Sequence, residues 1–481
     1  MLQAVVDLGF GDAGKGMLVH HLVRRGGAGT VTVRFNGGAQ AGHTVVDEAG
    51  RRHVFAQFGA GTLAGAPSVF ASTCVFDPLA LMREAHALAQ LGAAGVPLWV
   101  SSECMVVTPY AQACNRLRER ARGKLRHGSC GVGVGETVRM SEALGAAGTV
   151  RAWMLGAPAE LMRVLAVQRA YVQEQVRVLE VQVGARSALG AANEAGPACM
   201  VGAAGTAGAR GTRLGAVDDV DLRVLATSGW WSAWCSEVAR VEAAGYIVDE
   251  VKLAHQMRAA RHLVFEGAQG ILLDEHIGFA PHTTPSTCTL ANVHQLVGEW
   301  GIVNDLTALG VVRSFMVRHG AGPLPTESAA VSAAVAAADA TNQHNAWQGT
   351  PRAGVLDLPL LRYACRAVPE LVGLAVSHCD TWARAAQVEP ALRAIVMSYA
   401  EPDLMRALSA PRRTTYPLDP FTARLATATP QVRPLATNET PATALAADVG
   451  LPLLVRGAGA SAAKWADVDH HELSLARGSA A

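Results

Sequence analysis

Short apolar runs ending in glycine-rich polar turns recur along this chain. Ala4 to Leu8 is mostly apolar and predicts a buried strand. Met17 to Arg25, with Met17, Leu18 and Leu22 on one side, predicts a helix. Val31 to Phe35, Val69 to Val75, Leu98 to Ser101, Leu263 to Phe265, Gly310 to Val317, Gly373 to Val376 and Leu453 to Val455 read as further strands, the last of these closing the series. Asp77-Pro78 reads as an N-cap with Pro at the first helical position, opening a helix to about Gln90 that stops at Gly92. Gln112 to Lys124 predicts a charged helix, whose arginines read as a solvated face. Pro158 to Val183 predicts a long amphipathic helix with Leu161, Val164, Leu165 and Val172 on one face. Ser328 to Thr341 predicts an Ala-rich helix. Strands that end in glycine turns between helices imply an α/β fold: one large domain with an open, mostly parallel central sheet flanked by helices. Its ligands are expected at the strand carboxyl ends. The domain is expected over 1–465, with a frayed polar tail over 466–481. Gly184 to Gly215 is rich in Ala and Gly and reads equally as a connection or an insertion.

The turns carry the candidate chemistry. The first strand and helix enclose Gly9-Phe10-Gly11-Asp12-Ala13-Gly14-Lys15-Gly16. Such a turn lets backbone N–H groups approach an anion at a helix N-terminus, and Lys15 adds a point charge for a phosphate. The spacing Gly9-x4-Gly14-Lys15 matches a P-loop up to the next position, where a Ser or Thr hydroxyl would sit on Mg²⁺. Gly16 stands there instead. Asp12 inside the loop repels phosphate unless a cation intervenes or the carboxylate has chemistry of its own. The bland reading is a tight turn joining strand to helix.

The second strand ends in Asn36-Gly37-Gly38-Ala39-Gln40-Ala41-Gly42-His43-Thr44. His43 beside this loop is a candidate proton donor or phosphate contact; alone it would be a structural histidine. His127 to Gly135 is too glycine-rich for a regular element and reads as a loop. Nothing marks Cys130 within it as an activated nucleophile. The run His282 to Thr289 is rich in hydroxyls that could meet phosphate oxygens or cap helices. Arg318 to Pro323 is a further glycine loop, and His344 to Gly354 is a polar loop holding Arg352. Trp230, Trp231 and Trp234 read as core or interface.

Composition narrows the partners. Half of the 481 residues are hydrophobic and the net charge is +1, so no global field recruits nucleic acid or membrane. Nine scattered cysteines without a C-x-x-C pair suggest reduced thiols. The N-terminus enters a strand directly, without a signal-peptide head, and no apolar stretch approaches a membrane span. A cytoplasmic protein is expected.

Taken in order, GDAGKG, NGGAQAGHT, HGSCGVGVG, FEGAQGILLD, VRHGAGPLPTE, SHCD and RGAG resemble the adenylosuccinate synthetase family over nearly the whole chain. The resemblance implies a P-loop-like, GTPase-related ligase fold and a two-step reaction. A nucleoside triphosphate, usually GTP, phosphorylates O6 of a 6-oxopurine nucleotide, and the amine of L-aspartate displaces that phosphate. It implies Asp12 as the base for the purine N1 proton and as a Mg²⁺ ligand, with the Gly42 carbonyl as second protein ligand. His43 would donate to the leaving diphosphate. Gln269 would lie near O6. Gly11, Gly14, Lys15 and Gly16 would cradle phosphates, with nucleotide contacts from Gln40, Thr44, Ser129, Cys130, Thr284 and Gly457. Asp380 would read the guanine of GTP, and Arg352 would belong to the loop closing over aspartate. The resemblance also implies a homodimer, with Arg139 lent across the interface.

Departures cluster where substrates are read. Ala13 replaces a Glu, Ala39 a His, Gln40 an Asn, Val132 an Arg and His378 a Lys, and Gln348-Gly349-Thr350-Pro351-Arg352 replaces a run of arginines. LLDEHIGF, PHTTPSTCT and HNAWQG are similar to the phage branch of this family. That branch joins aspartate to dGMP, giving N6-succino-2-amino-2′-deoxyadenylate, and some members accept ATP. Several carry Ser in place of the loop aspartate, which is retained here as Asp12. IMP and dGMP are therefore rival acceptors. A nucleotide kinase or NTPase, needing no aspartate, and a non-catalytic nucleotide sensor are the readings from other classes.

Overall fold

The computed structural model describes residues 1–123, 129–194, 229–339, 349–416 and 419–468. Ten strands form the central sheet: β1 (Leu2–Asp7), β2 (Thr30–Arg34), β3 (Ser68–Phe70), β4 (Leu98–Ser101), β5 (Ile247–Val248), β6 (His262–Glu266), β7 (Leu306–Arg313), β8 (Leu371–Ser377), β9 (Leu453–Gly457) and β10 (Trp465–Asp467). Their order is β10-β9-β8-β7-β1-β6-β2-β3-β4-β5. All neighbours run parallel except β10, which closes one edge antiparallel to β9. The consecutive strands β6 and β7 lie on opposite sides of β1. Such a reversal opens a crevice at the carboxyl ends of the strands.

The run Ala4–Leu8 lacks polar positions because β1 is covered on both faces. Ala4, Val6 and Leu8 join Phe265 and Trp300 in one apolar cluster, while Val5 joins Leu18, Val19 and Val264 in the other. Alternate side chains of one strand thus feed two cores. Lys15–Gly26 forms the predicted first helix. Asp77 caps Pro78–Gln90, accepting the N–H groups of Leu79 and Ala80. Pro158–Glu194 buries Leu161, Val164, Leu165 and Val172 and runs well past Val183. Trp234 is buried in the second core.

Several boundaries differ from expectation. Val69 to Val75 is not one strand: after Phe70 the chain turns, with Thr73 Oγ1 donating to the Phe35 carbonyl at 2.6 Å. Val75–Phe76 then pairs separately with Met105–Val106. Every residue from Ser68 to Ala71 is buried, as are Cys74 and Val75, so the apolar pattern hides the turn. Gly310 to Val317 also breaks: β7 begins at Leu306 and ends at Arg313, where the Ser314 N–H and Oγ donate to the Ser377 carbonyl. Met316–Arg318 then pairs antiparallel with Arg352–Gly354. The Ala-rich helix spans only Ala329–Ala338, with Ser328 as its N-cap, and 340–348 lie outside the described residues.

The charged helix is Pro109–Arg122; Arg120 is exposed, but Arg116 and Arg118 are not a solvated face. Arg118 pairs with Glu136 at 3.1 Å and donates to Gln175 at 2.6 Å, and Arg116 donates to the Gly131 carbonyl. They tie three helices together. The loop expected over His127 to Gly135 gives way at Val134 to the helix Val134–Leu144, with left-handed Gly133 as its N-cap; 124–128 lie outside the described residues. The Ala/Gly-rich stretch continues the long helix through Glu194, and 195–228 lie outside. Leu453 to Val455 is not the last strand, because β10 follows and runs to Asp467; 469–481 lie outside. Among the described residues the cysteines are free, and no helix is long and apolar enough to cross a membrane.

Candidate active site

A cleft of about 530 Å³ opens at the carboxyl ends of the central strands. Its floor is the loop after β1. Asp7, the last residue of β1, accepts the N–H groups of Gly9 and Ala13, both at 2.9 Å, and pairs with Lys15 Nζ at 2.8 Å. One buried carboxylate therefore folds the loop and turns Lys15 back toward the sheet. Gly11, Asp12 and Gly14 have φ of 94°, 58° and 86°. Left-handed Gly14 is the N-cap of the first helix, and no side chain caps it. Its first amides are available to an anion.

Gly16 has a steric reason for replacing the P-loop hydroxyl. A Cβ there would stand 2.9 Å from the His43 Cβ. The loop gives up a Ser or Thr so that His43, at the start of the strand His43–Val46, can lie against it. His43 is 6% exposed, and its Nδ1 meets Glu266 Oε1 in a short contact. Burial and the Arg34 guanidinium push the His43 pKa down to about 4, against the pull of Glu266. Burial opposes the charge on Glu266, but His43 and Arg34 outweigh it and hold that carboxyl below its ordinary range. An ionised Glu266 accepts from Nδ1–H of a neutral imidazole, leaving Nε2 without a proton.

The loop after β6 interlocks with the first. A Cβ on Gly270 would stand 2.2 Å from the Gly9 carbonyl oxygen, and the Leu272 N–H donates to that oxygen at 3.1 Å. The preceding residue, Gln269, is left-handed at φ 63°. Asn36 stitches the loop after β2 to this one, accepting the Ala268 N–H at 2.6 Å and donating to the Thr287 carbonyl at 2.9 Å.

Asp12 is 43% exposed to the cleft, and its Oδ2 lies 2.7 Å from His319 Nε2. Its carbonyl accepts from Arg313 Nε at 2.6 Å, and Arg313 also pairs with Asp339 at 3.0 Å. Partial withdrawal from water in the cleft opposes the charge on Asp12. His319, Arg313 and Lys15 outweigh it and hold the carboxyl well below its ordinary range. His378 at the end of β8 is the third left-handed residue that is not glycine, at φ 56°. Its Nδ1 shares a 2.7 Å hydrogen bond with Ser377 Oγ. Burial and Arg313 lower its pKa to about 3. Asp12, Gln269 and His378 are the only non-glycine residues with positive φ among those described, and all three line the cleft. Strained backbone of this kind clusters at functional sites.

Gly11, Asp12, Gly14, Lys15, Gly16, Gln40, Gly42, His43, Thr44, Cys130, Gln269 and Asp380 line one cleft. Four expected nucleotide contacts are not part of its lining. Ser129 Oγ donates to Asn115 Oδ1, and the Thr284 N–H donates to the Leu273 carbonyl. Arg352 donates to the carbonyls of Gly320 and Gly322 and pairs with Glu327 at 2.6 Å; Gly457 packs on the Trp465 ring. Arg139 pairs with Glu136 at 2.7 Å and is half-exposed. Asp380 pairs with Arg384 at 2.9 Å. Burial pushes the Cys130 thiol up, which agrees with reading it as no nucleophile. The lining residues Arg313, His319 and Asp339 were missed. Only His319 carried a hint, from its place in the glycine loop that follows the run Gly310 to Val317; Arg313 lay inside that run.

Among the described residues no three His, Cys, Asp or Glu side chains form a metal cage. Mg²⁺ is commonly held by one or two carboxylates together with substrate phosphates. Asp12, ionised beside an anion loop, suits that mode.

The profile of the adenylosuccinate synthetase family matches residues 4–191 and 230–400. The chain is 27% identical over 387 residues to the adenylosuccinate synthetase of Thermoplasma acidophilum, covering 79% of this chain and 75% of that one. It is 30% identical over 335 residues to that of Neisseria gonorrhoeae, covering 68% and 66%. In fold it resembles the fully ligated adenylosuccinate synthetase of Plasmodium falciparum, with TM-score 0.69, 16% identity and coverage of 97% and 100%. It also resembles the cyanophage S-2L succinoaminodeoxyadenylate synthetase bound to dGMP and to dATP as an energy donor, with TM-score 0.50, 15% identity and coverage of 98% and 97%. At those identities the two structures bear on the fold alone, and they agree with the single α/β domain described above. On the match of its sequence to the family profile, the chain belongs to the adenylosuccinate synthetase family of C–N bond-forming ligases.

Proposed function

We propose that this protein joins L-aspartate to C6 of a 6-oxopurine nucleotide at the expense of a nucleoside triphosphate. The leading form is the adenylosuccinate synthetase reaction: IMP, L-aspartate and GTP give adenylosuccinate, GDP and phosphate. One observation carries the reading. An ionised carboxylate, Asp12, sits inside an anion-binding glycine loop and shares its cleft with His43 and Gln269. A phosphate cradle alone has no use for a carboxylate. A reaction that must take a proton from the atom beside its phosphoryl acceptor does.

In this mechanism Asp12 accepts the N1 proton as O6 attacks the γ-phosphorus and the diphosphate leaves. Gln269 steadies O6, and His43 faces the departing diphosphate through Nε2. The aspartate amine then attacks C6, and phosphate leaves carrying O6. Mg²⁺, held by Asp12 and the Gly42 carbonyl, would neutralise phosphate charge. Gly11, Gly14, Lys15, Gly16, Gln40, Thr44 and Cys130 contact phosphates or nucleotide from the cleft. Ser129, Thr284 and Gly457 are further nucleotide contacts by resemblance to the family, and Arg352 meets aspartate from the place where it holds the Gly320 and Gly322 carbonyls. Asp380 reads the base of the triphosphate. The protein acts in the cytoplasm as a homodimer, with Arg139 reaching the partner's site.

The rival acceptor is dGMP, with GTP or ATP as donor. It is favoured by the drift at the substrate-reading positions, and the cyanophage enzyme of similar fold binds dGMP and dATP. The test offers IMP and dGMP in parallel with L-aspartate, Mg²⁺ and GTP or ATP, and reads product masses. A succino-adduct of IMP supports the leading form, and an adduct of dGMP alone moves the acceptor. Triphosphate hydrolysis without any adduct overturns the ligase reading in favour of an NTPase, and binding without turnover in favour of a sensor.

A further inference from the structure

Asp12 is held at two points by one stretch of chain. Arg313 Nε donates to its carbonyl at 2.6 Å, which fixes the left-handed backbone. Six residues later, His319 Nε2 lies 2.7 Å from its Oδ2. The His319 ring makes no other polar contact: both nitrogens are buried, and neither completes a well-angled hydrogen bond, so the approach of Nε2 to Oδ2 is a close polar contact. A buried imidazole with a single polar neighbour is costly unless that neighbour matters.

The segment carrying His319 is itself braced. The guanidinium of the preceding residue, Arg318, is fully buried. It donates to the carbonyls of Ala321, Pro323 and His282 and lies 4.4 Å over the Phe10 ring, inside the first loop. From the other side Arg352 holds the carbonyls of Gly320 and Gly322, both at 2.8 Å. His319 therefore projects from a backbone pinned before and after it. Geometry of this kind is what a positioned reacting group requires.

We infer that His319 is a positioning residue that occupies one oxygen of the Asp12 carboxylate and so delivers the other to the acceptor's N1–H. This deepens the reading of Asp12 as the base and rests on it. The contact engages one lone pair of Oδ2, leaves its other for Mg²⁺, and keeps Oδ1 for the substrate. Arg313 sets where the backbone of Asp12 lies, and His319 sets how its side chain is turned. Without His319 the carboxylate samples other rotamers on the cleft floor. Misplacement by about 1 Å is enough to cost on the order of 10²-fold in rate.

The experiment compares His319→Leu and His319→Gln in the full chain. Gln keeps an N–H donor of similar reach; Leu fills the space without one. Adduct formation gives kcat and KM for the purine nucleotide and for L-aspartate. The expected result is a loss in kcat of about tenfold or more in the Leu variant with little change in either KM, and recovery of most of that loss in the Gln variant. Equal impairment of the two variants, a Leu variant with wild-type kcat, or a change confined to KM overturns the inference. Crystal structures of the same variants read the brace without turnover. An Asp12 carboxylate swung away in the Leu variant and retained in the Gln variant supports it, and one unmoved in both overturns it. If the wild type forms no adduct, the functional reading fails by itself and the crystallographic arm still decides whether the brace exists.

Discussion

Glu266 divides its carboxylate between His43 Nδ1 and the backbone N–H of Ala60, the latter at 2.9 Å. One oxygen anchors the acid to its own scaffold while the other fixes the imidazole, so the ring that faces the cleft has one orientation and one tautomer. On this account His43→Ala lowers kcat by about 10²–10⁴, the usual scale for acid catalysis. Glu266→Gln is expected to cost a large part of that, since the amide no longer dictates the tautomer. The double variant should be no worse than His43→Ala alone, because both changes act through one ring. Steady-state kinetics of the three variants checks this; a loss below about tenfold for His43→Ala reduces the residue to a structural contact.

The same pair sets a pH dependence. Burial and the Arg34 guanidinium push the His43 pKa down to about 4 in the folded protein, against an ordinary value of 6.5. The group is depressed on folding, so its contribution to stability is fully present above about pH 6.5 and is lost as pH falls toward 4. His378, at about 3, acts in the same direction. Tm should drop between pH 7 and pH 4.5, and the drop should be smaller in His43→Gln. At neutral pH the free site lacks the proton that a general acid must give. A bound triphosphate brings negative charge that restores it, so nucleotide binding near pH 7 should take up protons. Calorimetry in buffers of different ionisation enthalpy measures the uptake, which His43→Gln should abolish.

Asp12→Asn is nearly isosteric and leaves the glycine cradle in place. It should abolish turnover while nucleotide binding, followed by calorimetry, persists. Wild-type turnover in this variant would remove Asp12 from the chemistry.

Gly16→Ser restores the hydroxyl of an ordinary P-loop, yet it should impair this enzyme. The new Cβ would stand 2.9 Å from that of His43, a contact that one of the two must relieve. The expected outcome is a kcat reduced by about tenfold or more with a folded protein, since misplacing a reacting group by about 1 Å can cost on the order of 10²-fold. Circular dichroism and kinetics on the same preparation check it.

The fold was legible where apolar runs met glycine turns. Ala4 to Leu8 needs both faces covered, and Asp77-Pro78 announces a helix start, so the parallel sheet and its first helices could be read directly. The breaks after Phe70 and Arg313 could not, because the turns there are flanked by buried residues and satisfied by side chains from Thr73 and Ser314. Arg118 of Pro109–Arg122 misled for a related reason: its partners, Glu136 and Gln175, come from other helices. In the site, Asp12 and His43 stood out because a carboxylate and an imidazole are odd company for glycine loops. The left-handed backbone of Asp12, Gln269 and His378 left no trace in residue type. Nor did the contact between Asp12 and His319, which joins positions more than three hundred residues apart.

The central claim is that O6 of the purine is phosphorylated before aspartate takes its place. The most direct measurement uses a purine nucleotide labelled with ¹⁸O at position 6, supplied with unlabelled triphosphate, L-aspartate and Mg²⁺, and follows the label by mass. The account predicts that each succino-adduct formed is matched by one inorganic phosphate carrying one ¹⁸O. Phosphate released without the label, whether or not an adduct forms, would contradict it.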